Sequence, residues 1–178
     1  LDQALRLPGK EHIQGVSLQT CIDDYATAES LSTPIYCENC KEHRESVKKL
    51  SIRKPPKILA VHLKRFDAVS QRKVHTRVNF PLENFDISPY MQSLSSSEQK
   101  HNAPQVARDC YDLFGVVVHK GSLNSGHYIS YVQRLHPPSH DQTAAKNWLR
   151  FDDETITAVG ETEVRAAEAY ILFYLRKD

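Results

Sequence analysis

A series of four β-forming runs in the second half of the chain, residues 111–119, 127–132, 148–151 and 169–175, limits its fold more than any other feature. Glycine-rich or polar turns separate them. Branched and aromatic residues suit a pleated, half-buried surface, and short turns between neighbouring runs favour antiparallel pairing. A mostly antiparallel sheet is therefore expected. Residues 57–66 add a further strand, expected to be central, with Leu59, Val61 and Leu63 facing opposite to Ile58, Ala60 and His62. In the same strand His62 and Lys64 share one face and Arg65 takes the other, one of the two being structural.

Helical signals are few. Leu18, Cys21, Ile22 and Tyr25 recur at helical spacing behind Ser17, a good N-cap, and predict a short helix running to about residue 30 with its apolar stripe in the core. Residues 161–168, capped by Gly160 or Thr162 and acidic in the first turn, predict a second. Between residues 42 and 55, Val47, Leu50 and Ile52 stand among charges as in a half-exposed ribbon, which Pro55 and Pro56 stop. Residues 93–104 and 135–147 lack periodicity and read as mobile loop insertions.

A length of 178 residues suits one domain. The 23 Lys+Arg against 22 Asp+Glu leave a formal charge of +1, so bulk electrostatics attract neither nucleic acid nor an anionic membrane. The basic run of Lys48, Lys49, Arg53, Lys54 and Lys57 has acidic neighbours and no interleaved aromatics, so it reads as a solvated ribbon face without direct nucleic-acid binding. No run approaches the roughly 18 apolar residues of a membrane span, so a soluble chain with no membrane partner is expected. Cys37 and Cys40 form a C-x-x-C pair in a charged, histidine-bearing sequence, which points to reduced thiols or metal and an intracellular setting. Met91 is the only methionine and the chain opens on Leu1, Asp2 and Gln3, which reads as a segment of something longer.

The candidate chemistry begins at Gly121-Ser122-Leu123-Asn124-Ser125-Gly126-His127-Tyr128. A base needs a fixed imidazole with an open side. The strand start holds His127, and Gly126 spares side-chain bulk where a substrate backbone would approach. About 25 residues later the run 148–153 ends in two carboxylates, of which Asp152 is better placed to accept the imidazole N–H and fix its tautomer. The same residues also read as an ordinary strand histidine and a solvated acidic turn, and spacing alone does not separate the two. Cys37 and Cys40 make half of a tetrahedral zinc site, with His43 as a candidate third ligand. Two reduced cysteines in a metal-free ribbon are the alternative.

Taken in order, Tyr36-Cys37-x-x-Cys40, Lys48-Lys49, Pro56-Lys57-Ile58-Leu59, His62-Leu63-Lys64-Arg65-Phe66, Ser125-Gly126-His127-Tyr128-Ile129-Ser130-Tyr131, the Trp-Leu-Arg-Phe-Asp-Asp of 148–153 and the Ala-Tyr-Ile-Leu-Phe-Tyr of 169–174 resemble the ubiquitin-specific protease family. The match covers nearly the whole chain. It implies an α+β, papain-like cysteine protease fold. Residues 1–178 would be the C-terminal half of the catalytic domain, with a mostly antiparallel palm sheet, part of the fingers, and the helical thumb half absent. The implied function is a deubiquitinating cysteine protease that hydrolyses the peptide or isopeptide bond at the C-terminal glycine of ubiquitin. His127 would be its base, Asp152 the orienting acid, and Asp153 a neighbouring carboxyl near the oxyanion. Asn124, Ser125, Gly126 and Tyr128 would bind substrate, because residues 120–125 and the companion loop 67–73 border the channel for ubiquitin's C-terminal tail.

The resemblance implies no cofactor for catalysis. It assigns Cys37 and Cys40 to the fingers, where the second cysteine pair falls outside residues 1–178 and leaves a structural zinc site incomplete. The family's nucleophile stands in an upstream Asn/Gly-rich segment ending in Cys-Phe, which residues 1–178 do not contain. Cys21 on a buried stripe and Cys110 in a polar loop are poor substitutes, since attack requires a thiolate activated by imidazole. The nucleophile is therefore expected from a segment outside this chain, the missing N-terminal half is an expected partner, and the chain alone should be inactive. Other expected partners are ubiquitin and ubiquitinated proteins. Residues 74–91 look similar to the branch acting on ubiquitinated histones, which adds the nucleus to the cytoplasm as a setting. A non-catalytic ubiquitin-binding or scaffold module, either a pseudoenzyme or an inactive fragment, is the reading from another class.

Overall fold

The computed structural model describes residues 5–6, 15–67, 72–92, 109–122, 125–134 and 147–177. The expected insertion 93–104, nearly all of 135–147, and Asn124 lie outside the described residues. An eight-stranded sheet dominates, and its six longer strands are β1 (Ile58–Lys64), β2 (Cys110–Gly121), β3 (Gly126–Gln133), β4 (Trp148–Asp152), β5 (Thr155–Val159) and β6 (Ala169–Arg176). Their order is β1-β6-β2-β3-β4-β5, and every neighbouring pair among them is antiparallel. The short strand Leu5–Arg6 adds to β1 in parallel, and Phe85–Asp86 pairs with one end of β2. The centre of the sheet is thus β2, and β1, expected to be central, stands one place from the edge.

Each strand alternates between a buried and an open face. In β1, Val61 and Leu63 are buried while Ile58, Ala60 and His62 are exposed, as the alternation of the sequence requires. One core joins Leu113, Val116, Val118, Ile129, Tyr131, Trp148 and Leu172 of the sheet to Leu18 and Cys21 of helix α1 (Leu18–Ala26) and to Val78, Phe80, Leu82, Phe85 and Ile87. Ser17 caps α1, its Oγ accepting from the Thr20 N–H at 3.0 Å. The helix stops at Ala26, short of residue 30. Thr27 is already extended at φ −62°, ψ 138°, and Glu29–Ser30 pairs with Val47–Lys48. Tyr25, expected on the buried stripe, lies within the helix but outside the core and is 40% exposed. Helix α2 (Glu161–Ala166) has Gly160 as its N-cap and Glu161 and Glu163 in its first turn.

Two irregularities shape the β2–β6 ladder. Its register slips between Leu113 and Gly115 and again between Val117 and Val118, which leaves Phe114 and Tyr170 without an opposite residue. Such slips re-aim side chains. At the end of β1, Arg65 leaves the strand and is only 1% exposed. Its Nε donates to Ala169 O at 2.6 Å, and its Nη1 donates to Val74 O at 3.0 Å and Thr76 O at 2.8 Å. Arg65 therefore ties β1, the head of β6 and the segment after residue 73 together. This is the structural role expected of one face of its strand.

Candidate active site

The β2–β3 hairpin puts Lys120 opposite His127 and Gly121 opposite Gly126. Gly121 takes φ +118°, and a Cβ there would stand 2.5 Å from Ser125 O and 2.7 Å from Gly126 Cα. Only glycine fits that corner. The Ser122 N–H donates to Ser125 O at 2.8 Å and closes the turn. The β3–β4 ladder runs from Gln133–Trp148 to Ser130–Phe151 and ends there, so Asp152 lies one residue and His127 three residues beyond the last pair between these two strands. Their side chains meet, with His127 Nε2 lying 2.5 Å from Asp152 Oδ1.

The other carboxylate oxygen, Oδ2, accepts from Arg150 Nη2. The hydrogen bond with His127, together with the charges of Arg150 and Lys120, holds the Asp152 carboxyl below its ordinary range. Asp152 is therefore an anion that only accepts, so Nε2 must carry the proton and a neutral ring keeps its lone pair on Nδ1. That nitrogen has no hydrogen-bond partner among the described residues, and the side chain is 42% exposed. The arrangement is an imidazole oriented through Nε2 on a half-exposed side chain, with the Nδ1 lone pair left over.

Asp153 follows in an exposed turn at φ +50°. Ligand-type atoms of His127, Asp152 and Asp153 lie within 4.8 Å of one another. Arg150 already occupies the carboxylate and a proton fills the His127–Asp152 contact, so the trio is better suited to proton chemistry than to a cation. Of the residues expected to meet substrate, Ser125 and Gly126 are exposed and Tyr128 is 56% exposed. A Cβ on Gly126 would overlap the His119 ring, standing 2.5 Å from Cε1 with Nε2 nearer still. The space freed at Gly126 is thus filled from within the protein.

Sequence reasoning did not single out His119. It is 7% exposed and lies among Phe66, Tyr128 and Tyr170, at ring-centroid distances of 5.4, 4.7 and 6.3 Å. His62 joins this group through Tyr170, edge-on at 4.7 Å. Tyr170 reaches the group because the register slip aims it there. No local periodicity carries that signal.

Cys37 and Cys40 flank the turn between the paired strands Ile35–Cys37 and Glu42–Arg44. The Cys40 N–H points at Cys37 Sγ at 3.4 Å. That N–H, the Cys40 thiol and the Asn39 N–H lower the Cys37 thiol from its ordinary value, so two adjacent sulfur donors fit half of a zinc site. His43 does not join them. It lies opposite Tyr36, their rings 5.4 Å apart, one residue out of step with Cys37 and hence on the other face. Cys21 is 1% exposed, and burial, then Asp24, push its thiol up, the reverse of what a nucleophile needs. No helix among the described residues is long and apolar enough to cross a membrane.

The profile of the ubiquitin carboxyl-terminal hydrolase family matches residues 17–174. Ubiquitin carboxyl-terminal hydrolase 10 of Arabidopsis thaliana is 33% identical over 171 residues, covering 94% of this chain and 17% of its own length. The chain spans 17% of the length of each of the three curated relatives compared. Among solved structures, the SAGA DUB module of Ubp8, Sgf11, Sus1 and Sgf73 bound to monoubiquitin matches with a TM-score of 0.74 and 26% identity, covering 98% of this chain and 35% of that one. The same module bound to ubiquitin aldehyde matches with a TM-score of 0.73 and 26% identity, over the same shares. The architecture is the α+β, papain-like one, with a mostly antiparallel sheet.

Proposed function

Because this chain belongs to the ubiquitin carboxyl-terminal hydrolase family, we propose that the whole protein is a cysteine-type deubiquitinase in which His127 and Asp152 supply the base and its orienting acid. The observation that carries the reading is the 2.5 Å contact between Nε2 and the carboxylate, which leaves Nδ1 open. The nucleophilic thiol would come from a segment outside residues 1–178. Nδ1 takes the thiol proton, and the Asp152 anion stabilises the resulting imidazolium. The thiolate attacks the carbonyl carbon of ubiquitin's C-terminal glycine. As the tetrahedral intermediate collapses, the Nδ1 proton passes to the departing amine. Water, deprotonated by the same nitrogen, then hydrolyses the thioester. Asp153 adds polarity beside the developing oxyanion.

Ubiquitin is the substrate this reading requires, and the two ubiquitin-bound modules of similar fold support it. Asn124, Ser125, Gly126 and Tyr128 would meet its tail. Cys37 and Cys40 would hold two of the four positions of a structural zinc, the other two coming from outside this chain. The resemblance of residues 74–91 to the histone-directed branch makes ubiquitinated histones the first conjugates to assay, and a nuclear as well as a cytoplasmic setting follows from it.

The test is reaction of the full-length protein with ubiquitin carrying a C-terminal electrophile. Covalent labelling and turnover of conjugates are expected, and His127→Ala should abolish turnover. A folded full-length protein that binds ubiquitin but stays unlabelled would overturn the enzyme reading in favour of a non-catalytic binding module.

A further inference from the structure

We propose that His119 is a positioning residue for the catalytic base, its ring occupying the place of the missing side chain at Gly126 and so fixing the backbone from which His127 projects. This rests on the reading of His127 as the base.

The two glycines of the hairpin have separate causes. Gly121 is required by its own backbone at φ +118°, whereas at Gly126 the structure gives no positive φ, and the obstruction is a neighbouring side chain. A Cβ there would overlap the His119 imidazole and stand 2.6 Å from Lys120 O. The ring consequently lies directly against the Gly126 backbone. Gly126 can neither carry a side chain nor move towards β2.

His119 is itself held on several sides. Its backbone pairs with Tyr128, and its carbonyl accepts from Lys73 Nζ at 2.5 Å. Its ring contacts Phe66 beyond β1, Tyr128 of β3 and Tyr170 of β6, so three separate segments meet on it. Tyr170 is available because the β2–β6 register leaves it unpaired. The ring is thus a wedge backed by the sheet and pressed against the residue before His127. Its Nδ1 is buried without a hydrogen-bond partner among the described residues, so the packing uses the shape of the ring rather than that nitrogen.

One peptide unit separates Gly126 from His127, so a displaced Gly126 carries Nε2 away from Asp152. A hydrogen bond at 2.5 Å tolerates only a small shift. Misplacing a catalytic group by 1 Å costs about 100-fold in rate.

The experiment uses the full-length protein. His119→Ala should lower kcat about 100-fold with little change in KM, and His119→Phe, which restores a flat ring, should recover most of the loss. Gly126→Ala pushes the same contact from the other side and should give the same kcat defect, so the proposal stays testable if His119→Ala fails to fold. In each damaged variant the imidazole NMR signal of His127 should move, and in His119→Phe it should stay near its wild-type position. The proposal is overturned if a folded His119→Ala keeps its kcat, if its loss lies wholly in KM, or if Phe is as damaging as Ala. If the wild-type protein itself neither labels nor turns over, the deubiquitinase reading fails. The His127 signal in His119→Ala then decides alone, a shift supporting the wedge and no shift refuting it.

Discussion

The most discriminating substitution at the site is Asp152→Asn, because both carboxylate oxygens are in use. Oδ1 takes the proton of His127 Nε2 at 2.5 Å, and Oδ2 takes that of Arg150. An amide has one acceptor oxygen and one donor group, so it cannot accept from both neighbours. The guanidinium can only donate and competes strongly for the remaining oxygen, whereas a neutral imidazole can switch tautomer to accept from the amide NH2. The introduced amide should therefore present nitrogen to His127, placing the ring lone pair on Nε2 and a proton on Nδ1. A ring in that state cannot accept a thiol proton.

In the serine-protease triad, fixing the wrong tautomer in this way costs about 10,000-fold in kcat, and a comparable loss is expected here. Asp152→Ala sets no such trap. The ring loses its anchor but samples both tautomers, so the cost should be nearer 100-fold, at the low end for losing assisted proton transfer. Asparagine, the closer isostere, should thus be the worse replacement. Adding Arg150→Met to Asp152→Asn removes the competitor, lets the amide oxygen turn to His127, and should raise kcat by about tenfold or more over the single variant. Steady-state hydrolysis of a fluorogenic ubiquitin substrate measures all three. An Asn variant more active than the Ala variant, or no rescue on removing Arg150, would show that Arg150 does not decide how residue 152 is oriented.

Three further predictions follow from the same contacts. Replacing Arg65 by Met leaves the Ala169, Val74 and Thr76 carbonyls without their buried donor and should destabilise the protein by about 3 kcal/mol in urea titration, a loss under about 1 kcal/mol contradicting the staple. Because the folded Asp152 carboxyl is depressed, its stabilising contribution is present above the unfolded value of about 3.9 and is lost as pH falls through the lower folded value, so any acid limb of kcat abolished by Asp152→Ala should lie below about pH 4. A limb assigned to Asp152 near pH 6 would contradict that sign. Full-length protein should carry stoichiometric zinc that Cys37→Ser removes, and wild-type protein free of zinc by elemental analysis would reject the site.

How much of this could be read from the sequence depended on whether the cause was local. The alternation of 57–66 and the Ser17 cap are local, and the structure follows them. Of the two caps open to α2 it takes Gly160, and the helix ends at Ala166 rather than at residue 168. Strand β5 was not anticipated although Thr155, Ile156, Thr157 and Val159 are β formers, and four of its five residues are exposed on the sheet edge. The stop of α1 at Ala26 was missed because pairing of Glu29–Ser30 with residues about 18 places later overrides the continuing polar pattern. At the site, His127 and Asp152 stood out by residue type and strand-end placement, but their meeting depends on where the β3–β4 ladder stops. The dismissal of His43 needed the register of its hairpin, and the wedge at His119 needed a slip between two strands far apart in sequence.

The division between strand and loop also separates two kinds of defect at this site. His127 and Asp152 stand on β3 and β4, whose paired lengths are backed by buried Ile129, Tyr131 and Trp148, so their mutual geometry comes from the sheet. Ser122 and Ser125 sit in the exposed turn, joined to each other mainly through one backbone hydrogen bond. Changes within the turn that spare both glycines should therefore alter how substrate is gripped while leaving the imidazole–carboxylate pair in place. Ser125→Ala should raise KM or shift preference among conjugates with kcat nearly unchanged, whereas a comparable trimming of buried Ile129 to Ala should lower kcat along with thermal stability. If Ser125→Ala instead lowered kcat at constant KM, the turn would be helping to hold the base, and the sheet could not be its sole support.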